Sequence, residues 1–408
     1  MENNVAGAAM KEPIIKSLRN GANQSGLRDY NERLLLSMLQ RHGALPGSAL
    51  AKLAGLSPQT VSVILRKLEL GGLLERGEPT KGKVGKPSIP MRLAADGVLS
   101  IGLKIGRRSA DLMVMDFQGE IRKQLHTTYA YPLPQNVFGF LKDGLAETLD
   151  SLSRVERDRL CGIGIAAPFE LWNWHELVGA PAEEFLSWKD IDFKTEVAKL
   201  SDLPLYVIND ATAACQAEHV FGRGKEFHDY AYFYIGAFIG GGVVLNHSVY
   251  EGHQKNAGAL GSLRSVGPGG ESQQLIDSAS IYLLEARLQK AGIDPSGLWQ
   301  KPQKWDAFTD HVQPWLDQTT LELAKASLST CAVIDFEAVL IDGAFPTSIR
   351  EKIVGRTRSH MATQDTRGLL LPRIEQGVVG RNARAIGAAC RPVFAQFFLN
   401  THAGFSVS

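Results

Sequence analysis

Over residues 28–41, RDYNERLLLSMLQR, the apolar positions Leu34, Leu35, Met38 and Leu39 recur at helical spacing, which predicts an amphipathic helix with one apolar and one charged face. After a break at HGALPG comes SALAKLAG, a short helix closed by a turn at Gly55, and then SPQTVSVILRKLELGG. In that segment Ser57 is a good N-cap and Pro58 suits the first helical position. Val61, Ile64, Leu65 and Leu68 form a buried stripe, which leaves Gln59, Thr60, Ser62, Val63, Arg66 and Lys67 facing outward. The run GLLERGEPTKGKVGKPSIPMRLA predicts two strands joined by a flexible loop.

From Val98 the period changes. VLSIGLKI, ADLMVMD and EIRKQLHTT predict three consecutive strands with a turn at FQG, then a helical stretch, then the apolar strand LCGIGIAAP. A second series follows: YAYFYIG and GGGVVLN around a glycine turn, long helices to about residue 336, the strand AVLID and a final helix near 382–400. Two such units predict two α/β lobes with a cleft between them, a duplicated actin-like (ribonuclease-H-like) body. The long helices, including LELAKASLSTCAVIDFEAVL, serve a core or a subunit interface equally well.

A chain of 408 residues is too long for one average core, and the period change divides it. The expected units are a flexible arm at 1–27, a winged helix-turn-helix at 28–96 and a two-lobed body at 97–408. With 44% hydrophobic and 21% charged residues the composition is that of an ordinary globular protein. No run approaches the roughly 20 apolar residues of a membrane helix. The first twenty residues lack the apolar core and cleavage site of a secretory signal, so a soluble, cytoplasmic protein is expected, without a membrane partner. Cys161, Cys215, Cys331 and Cys390 lie too far apart for a disulfide framework or a zinc ribbon and read as small buried hydrophobes.

Charge adds a further contrast. Residues 1–98 hold 14 Lys and Arg against 8 Asp and Glu, a formal +6, and the remainder stands at −5. A basic first quarter on an acidic body points to a polyanion as that quarter's partner. Two helices across a glycine turn, the second with small polar groups near its start and cations further on, suit a recognition helix in a major groove. A helical bundle with a solvated polar face has the same pattern. The glycine-rich loop that follows carries Lys81, Lys83 and Lys86, cations suited to a DNA backbone or minor groove. Gln59, Thr60, Ser62, Arg66 and Lys67 are therefore candidate DNA contacts on the helix, and the three lysines on the wing.

The order and spacing of LSPQTVSVIL and KGKVGKP, then GIGIAAP, VINDATAA, GAFIGGGVVLN and AGALGS, resemble the transcriptional regulators of the ROK family over roughly residues 28–400. In that family a winged helix-turn-helix is fused to a body similar to bacterial sugar kinases. The resemblance implies that Asp210 stands where the kinases carry their catalytic base and Asn209 where they contact sugar hydroxyls. Asn209–Asp210 also suits a plain helix N-cap. The GIGIAAP loop, with Ala167 and Pro168 at its tip, matches the family's sugar site. Gly236, Gly240, Gly241 and Gly242 allow close approach to a phosphate or sugar, or simply a tight turn.

Other positions depart from the kinase pattern. Lys104 in GLKIGRRS replaces an acidic residue, which puts magnesium placement in doubt. The family's sugar-gripping Glu and zinc-binding His fall at Ala259 and Ser262, and RSVGPGGESQQL has no cysteine, so neither zinc nor any other cofactor is expected. Lys104, Arg107, Arg108 and Arg264 can pair with an anionic group or stand as solvated cations. Trp172 and Trp174 can stack on a sugar or pack. The expectation is a homodimeric or homotetrameric repressor without kinase activity. It binds an inverted-repeat operator in double-stranded DNA and is controlled by a small carbohydrate or sugar phosphate. An active sugar kinase with a fused reader, and a regulator controlled by a protein partner, are the alternatives.

Overall fold

A computed structural model of the chain describes residues 24–79, 89–267, 269–300, 303 and 305–399. The expected flexible arm falls outside these residues apart from the start of the first helix, as does the wing tip with Lys81, Lys83 and Lys86. Helix α1 (Gln24–His42) is followed by α2 (Gly47–Ala54) and α3 (Pro58–Leu70). Gly55 ends α2 at φ +64, a left-handed turn that glycine adopts without steric cost. Ser57 caps α3, its hydroxyl accepting from Thr60 N at 3.1 Å.

The buried face of α1 differs from the one expected. Leu35, Leu36 and Leu39 are buried and Leu34 only partly so, while Glu32 and Arg33 on the supposedly charged side are also buried. The cause is a second partner: α1 packs on its own domain and on the body. Ser37 Oγ accepts from Leu399 N at 2.9 Å, and Arg41 Nη2 lies 2.9 Å from His247 Nδ1. Two strands were expected after α3, and β2 (Leu74–Arg76) and β3 (Pro90–Leu93) pair antiparallel, with Leu74 opposite Leu93. A short β1 (Leu45–Pro46) adds to the free edge of β3.

The body contains two five-stranded sheets. The first uses β4 (Leu99–Ile105), β5 (Ser109–Asp116), β6 (Ile121–Thr128), β7 (Leu160–Ala167) and β8 (Leu205–Asn209) in the order β6-β5-β4-β7-β8. Helix α4 (Pro134–Ser151) crosses over between β6 and β7, and α5 (Asp210–Phe221) follows β8. The second sheet begins with β9 (Tyr230–Ile235), β10 (Ile239–Leu245) and β11 (Ser248–Tyr250). A small ribbon, β12 (Arg264–Val266) with β13 (Ser272–Gln274), and the helices α6 (Ile281–Lys290) and α7 (Thr309–Val333) come next. The sheet is completed by β14 (Ala338–Gly343), α8 (Thr347–Met361) and β15 (Arg373–Gln376), in the order β11-β10-β9-β14-β15. In each sheet three antiparallel strands are followed by two parallel additions, so the two lobes repeat one topology. Strand β15 escapes the sequence pattern because it is a four-residue edge strand on which only Ile374 is fully buried.

The last helix, α9 (Ala383–Phe397), ties the molecule together. It lies so close to β7 and α5 that a Cβ on Gly164 would overlap the carbonyl of Ala388, and one on Gly387 would overlap that of Ala213. Gly164 in GIGIAAP is therefore explained by packing, since only a residue without a Cβ admits a helix backbone at that distance. At its far end α9 enters the reader. Val393, Phe397 and Phe398 share a core with Leu35, Leu39, Leu65 and Leu68, and Phe117 stacks on Phe398 at 5.6 Å.

Candidate functional site

Two surfaces carry the candidate residues. On α3, Gln59, Thr60, Ser62, Arg66 and Lys67 are exposed together on one side, with Val63 among them at 58% exposure, while Val61, Ile64, Leu65 and Leu68 hold the opposite side in the core. Thr60 is partly occupied, its hydroxyl 2.8 Å from that of Ser57. Lys67 is drawn aside. Its ammonium pairs with Glu32 of α1, a buried carboxylate that needs a cation, so Lys67 ties α3 to α1 rather than standing free at the front of the surface.

The second surface is a cleft of about 430 Å3 between the lobes. Strand β8 delivers Asn209 and Asp210 to it at the N-terminus of α5. Asn209 Oδ1 accepts from Ala211 N at 3.0 Å and Thr212 N at 3.2 Å, so it is the helix cap as well as part of the cleft wall. Pro168, Gly240, Gly241, Ala259 and Ser262 also line the cleft. Ala167 and Gly242 do not. Ala167 is buried behind the wall, and Gly242 packs on Cys215 and Gly258, where a side chain has no room. Of the other positions read from the sequence, Trp174 lines the cleft, whereas Trp172 packs on the core. Arg264 is exposed on β12, and Arg108 turns to Glu285 at 3.7 Å.

Of the three buried cations in and beside the cleft, Lys104, Arg107 and Arg384, all but one are paired with a carboxylate. Asp210 Oδ2 receives a hydrogen bond from Arg384 Nη1 at 3.0 Å, both side chains being nearly buried. Burial alone would lower Arg384, but the Tyr234 and Asp210 beside it hold it above its ordinary value. Lys104, on β4, donates to Ser109 Oγ at 2.8 Å and Asp111 Oδ2 at 3.1 Å. Burial pushes its ammonium down to about 8, Arg384 adding to the fall and Asp111 opposing it. Burial would raise Asp111, yet His126 and Lys104 hold it below the carboxylate range. Arg107 is the exception: its guanidinium lies over the Phe238 ring, 3.2 Å from the centroid, and 5.0 Å from that of Trp174. Burial pushes it down to about 9, which leaves it a cation at neutral pH.

This arrangement can hold a polar molecule of sugar size, with amide, carboxylate and main-chain groups on one wall and aromatic rings on the other. Two of its features bear on phosphoryl transfer. The carboxylate that would have to accept a proton is already engaged by Arg384, and the first hairpin holds a buried cation where the metal-handling carboxylate of the kinases is expected.

Residues 28–75 match the family model described as winged helix-turn-helix DNA-binding, and residues 100–273 match that of the ROK family. Over those residues the chain resembles the ROK family. Similar proteins include named regulators, and similar structures include kinases. An uncharacterised protein of Sinorhizobium fredii is 24% identical over 90% of this chain and 92% of its own. The xylose repressor of Bacillus spizizenii is 25% identical over 59% of this chain and 62% of its own. The transcriptional dual regulator NagC of Escherichia coli is 23% identical over 60% and 59%. The chain thus spans about three-fifths of the length of these two regulators. Among solved structures, a ROK transcriptional regulator homologous to the E. coli Mlc protein superposes with a TM-score of 0.63 at 18% identity, over 91% of this chain and 97% of the other. A ROK glucokinase from Streptomyces griseus, in complex with glucose and AMPPNP, gives 0.54 at 19% identity, over 71% and 98%. The fold is common to regulators and kinases.

The sequence reading missed Arg384 and Phe238, both lining the cleft. Arg384 had one available signal, a cation inside the otherwise small-residue run ARAIGAAC. Phe238 had none, since an aromatic residue in a strand turn is ordinary.

Proposed function

We propose that the protein is a DNA-binding transcriptional repressor whose inter-lobe cleft senses a carbohydrate-like small molecule, and that the body has no kinase activity. One observation supports this above the others. Arg384, near the start of α9, is a wall of the cleft, and Phe397, at its end, is in the core of the DNA reader. Thirteen residues of helix rise roughly 20 Å, so a single helix touches both sites. A ligand that prefers one position of α9 then shifts the reader by as much as it discriminates between the two positions.

In this reading Gln59, Thr60, Ser62 and Arg66 contact base edges, and Lys81, Lys83 and Lys86 contact the backbone or minor groove. Asn209, Asp210, Pro168 and Gly241 hold the effector, with Ala167 and Gly242 shaping the wall from behind. No resident zinc or other cofactor is included, because Ala259 and Ser262 offer no imidazole or thiolate. The protein acts in the cytoplasm as a homodimer or homotetramer. The repressor relatives support the regulatory role, and the engaged Asp210 with buried Lys104 supports the loss of phosphoryl transfer.

The test is binding of the full chain to labelled DNA from its own upstream region, at one fixed salt concentration, with and without a panel of sugars, sugar acids and sugar phosphates. Specific binding released by one compound is the expected result, and absence of specific binding overturns the reading. The retained Asn209–Asp210 pair favours one other reading, an active kinase. Sugar-dependent ATP consumption that disappears in Asp210→Asn would establish it.

A further inference from the structure

We infer that the effector is an anion, a small polyhydroxylated molecule bearing a carboxylate or a phosphate ester, and that its charge docks on Arg107. This rests on the reading of the cleft as a ligand site and narrows the ligand's chemistry.

Arg107 is only 8% exposed and lines the cleft. Among the described residues nothing forms a hydrogen bond or ion pair with its side chain, and its Nε is sealed from solvent without a partner. Its neighbours are accounted for. Lys104 is matched by Asp111 and Arg384 by Asp210, Arg381 donates to Gln300 O, and the rim carboxylate Glu170 accepts from Asn173 Nδ2 at 2.8 Å. Arg107 is therefore the one buried cation here that no carboxylate contacts, and the other lining charge without an ion pair, Glu170, stands exposed on the rim.

A buried charge without a counter-charge is costly, and a fold that retains one has a use for it. Phe238 and Trp174 contribute to that use. Ring faces fix the guanidinium plane by cation–π attraction and leave its edge for planar, two-pronged contact with a carboxylate or phosphate. A neutral sugar would leave the guanidinium buried with no anion in contact, whereas an anionic one supplies that contact. The hydroxyls of the same molecule have Asn209, Asn256, Gln274 and the main chain at Gly240 and Gly241 within the same cleft.

The experiment uses the full chain at constant ionic strength, titrated calorimetrically with D-gluconate, D-glucose 6-phosphate, D-glucose and inorganic phosphate, with melting temperatures taken in parallel. At least one charged probe is expected to bind ten or more times more tightly than D-glucose, gluconate marking a carboxylate ligand and the ester a phosphate. Arg107→Met should abolish the preference and, without ligand, melt at a higher temperature than the parent, because the unmatched charge is gone. Arg107→Lys keeps the charge but not the two-pronged edge, and should lose most of the preference while folding normally. Equal binding of D-glucose and the charged probes, no effect of any anion at millimolar concentration, or a preference that survives Arg107→Met overturns the proposal. An anion preference in a protein that binds no specific DNA would overturn the regulatory reading and leave this one standing.

Discussion

Arg66 stands exposed on α3 and forms no ion pair among the described residues, in contrast to Lys67, whose ammonium is committed to Glu32. Arg66→Ala should weaken operator binding by about 1–3 kcal/mol and relax base preference at one position, readable by competition with single-base operator variants. Lys67→Ala should act mainly on stability, because it leaves the buried Glu32 with only the longer contact to Arg28, at 3.5 Å. A second residue-scale effect belongs to His219, in the seam between reader and body. Its Nε2 lies 2.9 Å from the carbonyl of His247, which only accepts, so Nε2 carries the proton and Nδ1 accepts from the Tyr230 hydroxyl. Burial pushes this imidazole down to about 4, with Arg41, His247 and Lys225 adding to the fall. The unfolded chain takes up a proton near 6.5 and the folded one not until about 4. Stability should therefore decline as pH drops through that window, by on the order of 3 kcal/mol at most. Urea midpoints between pH 7 and 4 measure the decline, and His219→Gln should flatten it.

Element-scale behaviour centres on α9. Its small-residue stretch exists so that Gly387 and Ala388 can lie against the backbones of α5 and β7, and its aromatic end exists to enter the reader's core. Truncating Phe397 to Ala removes a buried ring from the junction, a change that costs about 3–5 kcal/mol in ordinary cores. The reader keeps its own apolar stripe of Val61, Ile64, Leu65 and Leu68. Specific DNA binding should thus survive in Phe397→Ala while its response to the effector weakens. Operator titrations with and without effector separate the two, and equal loss of binding and response would show that α9 only supports the reader.

At the scale of the whole molecule, the reader is held against the body by polar contacts as well as by a shared apolar core, so a rearrangement of the lobes has a direct path to the DNA surface. A symmetric oligomer would present recognition helices to half-sites one or more helical turns apart, about 34–36 Å per turn. Inserting five base pairs between the half-sites should abolish binding and inserting ten should restore much of it, as a gel-shift series with the altered operators would show. Insensitivity to spacing would mean that one reader binds alone.

Most of the architecture was legible in local pattern. The caps of α3, its buried stripe, the three-strand runs of each lobe and the final helix follow from periodicity and turn chemistry, which act over a few residues. Asn209 and Asp210 were legible as a strand-to-helix corner for the same reason. What tertiary structure alone decided depends on residues far apart in the chain. Glu32 is buried where α1 meets α3, which brings Lys67 to it, and Gly164 is glycine because α9 lies on it. Arg384 reaches Asp210 across 174 positions, and Arg107 is left without an ion pair because Arg384 already holds that carboxylate. Periodicity reports which face of an element is buried, but charge balance in a cleft is set by the sum of all the elements that enclose it.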